Sequence, residues 1–250
     1  MRYLIICLLF PCLLSAQQLD VSTQYVWASS GLTMRAAGNA DGEKMLVIPF
    51  GAAVQLTGNQ GAALRVKAMD GVTYNVEGEI QKGEPYFMYG SYLEVIYQGK
   101  TGFVFNGYLG YYSPVVKEAD ENGLWGWLKT HGGQPDTILN GTYGESLYRG
   151  RMVIHYENGV TYSSSEYEGG GSMTITFPVG SINSGFLFAQ QFMGIDDAVK
   201  NKEENLANGY IYPELLQQDE NGNLHFVGEM SETVITIVGD LLIISSSGGC

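Results

Sequence analysis

The side chains able to do chemistry are scattered. Of the three histidines, His131 precedes the Gly132-Gly133 turn, while His155 and His225 sit inside strand-like runs. None shares with another the short spacing by which histidines ligate one metal ion. Cys7 and Cys12 fall in an apolar N-terminal run, and the remaining thiol, Cys250, follows the tail Ser245-Ser246-Ser247-Gly248-Gly249. A nucleophilic thiolate needs a fixed position and a neighbouring base, which such a tail does not supply. No Gly-x-Ser-x-Gly elbow occurs. Glu166 and Glu168 would share a strand face and could form a carboxylate pair, provided a cleft encloses them. A carboxylate-dependent hydrolase with its site in residues 113–250 therefore stands as the alternative to a purely binding role. Asp219-Glu220-Asn221-Gly222-Asn223 has the alternating oxygens of a calcium loop. Leu224 and Met230, however, stand where that loop needs Gly and Glu, so the segment reads as a hairpin turn. Gly169-Gly170-Gly171-Ser172 lacks the following Lys and helix of a phosphate cradle. No cofactor is expected.

The richer inventory is aromatic: 17 Tyr, 10 Phe and 3 Trp. Most must fill a core. Tyr25, Trp27, Tyr108, Tyr111 and Tyr112 bracket the first part of the chain, and Trp125 and Trp127 lie just past it. Flat rings with a polar tip can stack on sugars or grip an extended peptide, so the first five are the candidate ligand-binding residues. The competing role for the same rings is to pack the two halves of the chain together.

Charge narrows the partners. The formal net charge is −13, and a nucleic-acid binder needs a basic face to neutralise phosphates. Residues 17–112 carry 6 basic and 8 acidic side chains, against 6 and 18 in residues 113–250. Met1-Arg2, the apolar run Tyr3–Leu14 and the small residue Ala16 form the layout of a secretory signal peptide over residues 1–16, cut before Gln17. The expected location is outside the cytoplasm, in the periplasm or at the cell surface. The run is too short to span a bilayer, and no later segment is long and apolar enough to do so. With no cysteine pair left after the cut, the exported chain must be held by its core alone.

The elements that must position these residues are mainly strands. Asp70-Gly71, Gln98-Gly99, Asn158-Gly159, Asn221-Gly222 and Gly239-Asp240 each separate runs rich in Val, Ile, Thr, Tyr and Phe, the signature of β-hairpins. At the first of these, Leu64–Ala68 and Val72–Val76 alternate apolar and polar residues and are expected to pair with each other. One helix is expected over Ile195–Ala207, opened by Asp196-Asp197 and closed by Asn208-Gly209. A weaker helical pattern runs from Asn122 to Thr130 and stops at Gly132-Gly133. A boundary near Ser113-Pro114 divides residues 17–112 from residues 113–250.

Within residues 24–112 the motifs fall in a known order. Gly31-Leu32-Thr33-Met34-Arg35 precedes Met45-Leu46-Val47-Ile48-Pro49-Phe50-Gly51. Then come Tyr92-Leu93-Glu94-Val95, the hairpin Gln98-Gly99-Lys100-Thr101-Gly102-Phe103-Val104 and the closing Tyr108-Leu109. This order resembles the bacterial SH3 (SH3b) family, with Tyr92 where the family commonly has Trp. The resemblance implies a small SH3-like barrel with Met34, Val47, Val95 and Val104 in one core. It also implies a non-catalytic role at the bacterial cell envelope, binding peptidoglycan or a protein or peptide partner. The stretch that holds Asp70-Gly71 and Tyr86-Phe87-Met88-Tyr89 is an insertion relative to that pattern, placed to cover the face other members use for ligands. The fold expected for the whole chain is mainly β: the barrel with its inserted hairpin, then a β-rich domain carrying one helix.

Overall fold

The computed structural model describes residues 22–76, 78–116, 123–141, 148–207 and 214–249. Residues 1–16, expected to be a signal peptide, and Cys250 lie outside the described residues. The first half contributes β1 (Thr23–Val26), β2 (Leu32–Arg35), β3 (Lys44–Ile48), β4 (Ala53–Met69), β5 (Val72–Val76), β6 (Glu79–Gly83), β7 (Tyr86–Tyr97), β8 (Lys100–Phe105), a 3₁₀ turn at Asn106–Tyr108 and β9 (Leu109–Gly110). The second contributes α1 (Leu124–His131), β10 (Pro135–Gly141), β11 (Tyr148–Tyr156), β12 (Thr161–Tyr167), β13 (Gly170–Phe177), α2 (Ile182–Phe192), α3 (Asp197–Lys200), α4 (Lys202–Ala207), β14 (Leu215–Gln218), β15 (Leu224–Val227), β16 (Ser231–Val238) and β17 (Leu241–Gly249). The fold is mainly β. Among the described residues no helix is long and apolar enough to cross a membrane.

The described residues form a seven-stranded sheet in the order β3-β2-β8-β7-β4-β1-β9. Its neighbours are all antiparallel. Val26, Met34, Ile48, Val54, Val95, Val104 and Leu109, one from each of the seven strands, meet in a single apolar cluster. A flat sheet could not bring both of its edges to one cluster, so the sheet curls around it. Gln98 and Gly99 both have positive φ, at 49° and 74°, which gives the β7–β8 hairpin the twist that two-residue turns need. Met34, Val95 and Val104 share the core as expected, but Val47 does not. Val47 faces outward with 57% of its surface exposed, while Ile48 is buried. Successive side chains of a strand point to opposite faces, so only one of this adjacent pair could enter the core.

The long strands β4 and β7 outrun this curl and form an arm. Their register shifts between Leu56 and Gln60, between Gln60 and Ala63, and again between Lys67 and Met69. Bulges of this kind turn a strand's apolar face. The near end contributes Val54 and Val95 to the first core, whereas Met69, Tyr86, Met88 and Tyr92 enter a second, larger one. The pairing expected across Asp70-Gly71 is corrected here: β4 pairs with β7, and β5 pairs with β6. The β5–β6 hairpin leaves β4 because Val72 and Tyr74 bury against Ala198 and Leu215. The Tyr74 hydroxyl donates to the Ala198 carbonyl at 2.6 Å.

The second sheet has eight strands in the order β10-β11-β12-β13-β17-β16-β15-β14. Its turns at Asn158-Gly159, Asn221-Gly222 and Gly239-Asp240 fall where expected. The expectation of a single helix over 195–207 is also corrected. That stretch folds as two short helices, α3 and α4, and the longest described helix is α2. α2 is wedged between the two halves, with Phe186, Leu187, Phe188 and Ala189 all buried. A Cβ at Gly185 would lie 2.6 Å from Ile235 Cγ2 and 2.7 Å from Leu242 Cδ1. Glycine there lets the helix lie close on the sheet.

Candidate functional site

The five aromatic residues singled out in the sequence do not form one surface. Tyr25 lies in β1 opposite Ala53 and Gly110 and is half-buried. Trp27 is only 5% exposed. Its indole Nε1 donates to the Tyr112 carbonyl at 2.9 Å, and its ring lies 6.1 Å from that of Phe188 and 6.2 Å from that of Phe192. The ring is therefore spent on packing against α2 and offers no open stacking face. Gly110 is required beside it, since a Cβ there would lie 2.5 Å from the indole nitrogen. Tyr112 is packed in the same way, 5.9 Å from Trp127 and 5.3 Å from Phe177 between ring centroids. Its hydroxyl is buried without a hydrogen-bond partner, and burial pushes its pKa well up. Tyr111 joins Trp27, Tyr112 and Phe188 around a cavity of about 20 Å³, too small for any ligand of sugar or peptide size. Trp127 is fully buried, and Trp125 is 43% exposed against Tyr162 at 4.7 Å. The packing role thus claims most of these rings.

Tyr108 is the exception. Edge-on to Phe105 at 6.0 Å, it lines a groove of about 330 Å³ at the junction of the curled sheet and the arm. Its floor is apolar: Leu64 and Val66 from β4, Tyr92 from β7 and Phe105 from β8. Partial burial raises the Tyr108 pKa, so the hydroxyl stays protonated and can donate. The rim is the turn Ala28–Leu32 together with Thr33 and Arg35 of β2. Ser29 and Ser30 are exposed, and their place on a turn leaves backbone and hydroxyl groups at the mouth. Gly31 takes a φ of 82°, and a Cβ on it would lie 2.6 Å from Val47 Cγ1 and 2.9 Å from the Ile48 carbonyl oxygen. Glycine at that position lets the rim turn tightly over β3. The Arg35 guanidinium donates to the Gly42 carbonyl at 2.7 Å. That bond holds in place the one basic side chain among the described lining residues, with further N–H donors in its planar fork.

The stretch expected to be an insertion does not close this groove. Instead Leu64 and Val66 of the arm make one wall. Tyr92 and Arg35 belong to the quoted motifs, so their spacing could have nominated them. Leu64 and Val66 carried no such signal, because the bulges that aim them are not written in a local pattern.

The remaining candidates are structural or solvated. Glu166 and Glu168 are both exposed at a hairpin end. Asp219 accepts from the backbone N–H groups of Asn221 and Asn223 and from the Asn223 amide, which closes the β14–β15 hairpin and lowers its pKa. His131 Nε2 contacts the Val115 carbonyl at 2.6 Å, and His155 Nδ1 contacts Thr161 Oγ1 at 3.0 Å. Among the described residues no group of three His, Cys, Asp or Glu side chains could hold a metal ion. No family model, curated protein or solved structure matches the chain.

Proposed function

We propose that the protein is an exported, non-catalytic binding protein of the bacterial cell envelope, and that its SH3-like unit takes an extended peptide bearing a carboxylate in the Tyr108 groove. The observation that carries this reading is the groove's chemistry: an apolar floor of Leu64, Val66, Tyr92 and Phe105, with one basic group, Arg35, on its rim. An extended chain buries alternate side chains on such a floor, and a guanidinium fork pairs with a carboxylate through two parallel bonds. The stem peptides of peptidoglycan and the tail of an envelope protein present the same chemistry. The signal-peptide layout at residues 1–16 and the SH3b-like order of motifs support the cellular setting.

The test uses the full chain. Purified cell-wall sacculi and an immobilised peptide with a free carboxyl end are each challenged with the protein. Retention on at least one is expected. It should fall in Arg35→Gln and in Ser30→Trp, which fills the mouth from an exposed position without touching the core. Loss on sacculi alone identifies the stem peptide, and loss on the peptide column alone identifies a protein tail. No retention on either, or retention unchanged in both variants, overturns the proposal. Trp27→Ala is unsuitable here, because that ring reports folding and not contact with a ligand.

A further inference from the structure

The second half holds a larger hollow that the groove reading leaves unused. Across the inner face of the eight-stranded sheet, Leu224, Ile235, Ile244, Ile175, Tyr162 and Ile154 lie side by side in register. All six are buried, and α2 packs on this side of the sheet. Two residues further along the same strands the row changes character. There Thr233 is opposite Ser246, Ser246 opposite Met173, and Met173 opposite Ser164. The next row brings Ser231 and Gly171 against Gly248. A sheet face that served only to be covered would continue its aliphatic pattern, since a hydroxyl costs free energy to bury without partners.

The hydroxyls begin where the cover ends. α2 stops at Phe192, Gly194 turns the chain with a φ of 68°, and α3 and α4 follow, Ala198 packing with Leu215 of the edge strand β14 where helices and sheet meet. Between them lies a hollow of about 690 Å³, within the ~300–1,000 Å³ typical of ligand pockets. Met173, Ser231, Thr233 and Ser246 form its floor. Thr233 is only 3% exposed and donates to Ser246 Oγ at 3.1 Å, so the floor is ordered before anything binds. The facing wall offers amides from Asn201 and Asn205 and carboxylates from Asp197 and Glu204, with the apolar surfaces of Phe192 and Leu124 beside them. Among the described residues no Lys, Arg or His lines it.

We propose that this hollow is a binding site for a non-anionic oligosaccharide, neutral or amine-bearing. Sugar rings display hydroxyls at their edges and C–H groups on their faces. Amides, carboxylates and hydroxyls satisfy the edges, while Phe192, Met173 and Leu124 cover the faces. The carboxylates repel an acidic sugar, and no cation compensates.

The experiment is titration calorimetry on the full chain with four probes: a trimer of N-acetylglucosamine, a trimer of glucosamine, a trimer of galacturonic acid, and trilysine. Saturable binding is expected for one or both of the first two, with none for the acidic trimer. Asn201 and Glu204 are exposed, so Asn201→Ala combined with Glu204→Gln leaves the fold intact, as an unchanged melting curve verifies. That variant should lose about tenfold or more in affinity, the loss of one to two charge-assisted or neutral hydrogen bonds. Ser30→Trp, which blocks the groove, should bind the trimer normally, so failure of one proposal is separable from failure of the other. The inference falls if neither glucosamine-based trimer binds up to millimolar concentrations. It also falls if trilysine alone binds, which would make the hollow a cationic-peptide site, or if the double variant binds as well as the parent.

Discussion

His225 sits between two carboxylates, with Nδ1 2.8 Å from Glu232 Oε1 and Nε2 3.5 Å from Asp219 Oδ2. The bond to Glu232 is the largest influence on its pKa and raises it above the ordinary 6.5; Asp219 adds to this and partial burial opposes it. The folded state therefore holds the imidazolium more tightly than the unfolded chain does. That stabilisation is fully present below about pH 6.5, the unfolded value, and is lost as pH rises through the higher folded value. Asp219 works in the opposite sense. Its hydrogen bonds from Asn223 and Asn221 lower its pKa below 3.8, so its contribution is present above that value and is lost as pH falls. The urea midpoint of unfolding should decline as pH rises above the ordinary histidine value of 6.5, and His225→Gln should flatten that decline. An identical slope in the variant would show that the imidazole takes no part in it.

At the scale of elements, α2 is the piece on which both halves close, and its first turn carries a reciprocal cap. Ser181 Oγ accepts from the Ser184 backbone N–H at 3.1 Å, and Ser184 Oγ accepts from the Ser181 N–H at 2.8 Å. Ser181→Ala should lower stability by about 1 kcal/mol, the usual cost of losing such a cap, measured by chemical denaturation at neutral pH. Because Ser181 is exposed, an unchanged midpoint would mean that tertiary packing alone fixes where the helix begins. This helix was hidden in the sequence for a physical reason. Ile-Asn-Ser-Gly opens like a turn, and Phe186, Leu187, Phe188 and Ala189 are apolar without a break, because both sides of the helix are covered. The stretch 195–207 was readable because Asp196-Asp197 marks a helix start and Lys200, Glu203 and Glu204 mark exposed positions, although Asn201 divides it into α3 and α4. Hairpin turns were legible throughout, since Gln98-Gly99 and Asn158-Gly159 act through local φ preferences. The pairings across Gln98-Gly99, Asn158-Gly159 and Gly239-Asp240 were legible with them, but the one across Asp70-Gly71 was not. At Asp70-Gly71 the turn is where expected, yet β4 takes β7 as its partner, because the burial of Tyr86 and Met88 against a helix about 100 residues away decides it. The Tyr108 groove was half legible by the same division: Arg35 and Tyr92 stand in local motifs, while Leu64 and Val66 reach it only through bulges.

For the whole molecule, the division near Ser113-Pro114 is a change of sheet and of charge but not a gap in packing. Trp27, Met69, Tyr86, Met88, Tyr92 and Phe105 from the first half belong to the same buried cluster as Trp127, Phe177, Phe186, Phe188 and Phe226 from the second. The Tyr86 ring lies 4.4 Å from that of Phe186, and its hydroxyl donates to Asn183 at 2.8 Å. The Glu84 backbone N–H donates to the Leu216 carbonyl at 2.8 Å, which ties the β5–β6 hairpin to β14. Exposing six such side chains at ~1.5–3 kcal/mol each removes on the order of 10 kcal/mol, as much as the whole stability of an ordinary domain. The first half, for all its own curled sheet and core, should therefore not stand alone. A fragment of residues 17–112 is expected to bind a hydrophobic dye and to unfold without a sharp transition. The full chain should instead unfold in one step, with tryptophan fluorescence (Trp27 and Trp127 are both buried at the junction) and far-ultraviolet circular dichroism giving coincident curves. Two separated transitions, or a fragment that melts cooperatively at the temperature of the full chain, would mean that the shared cluster is a contact between independent domains. The groove would then have to be treated as the property of the first half by itself.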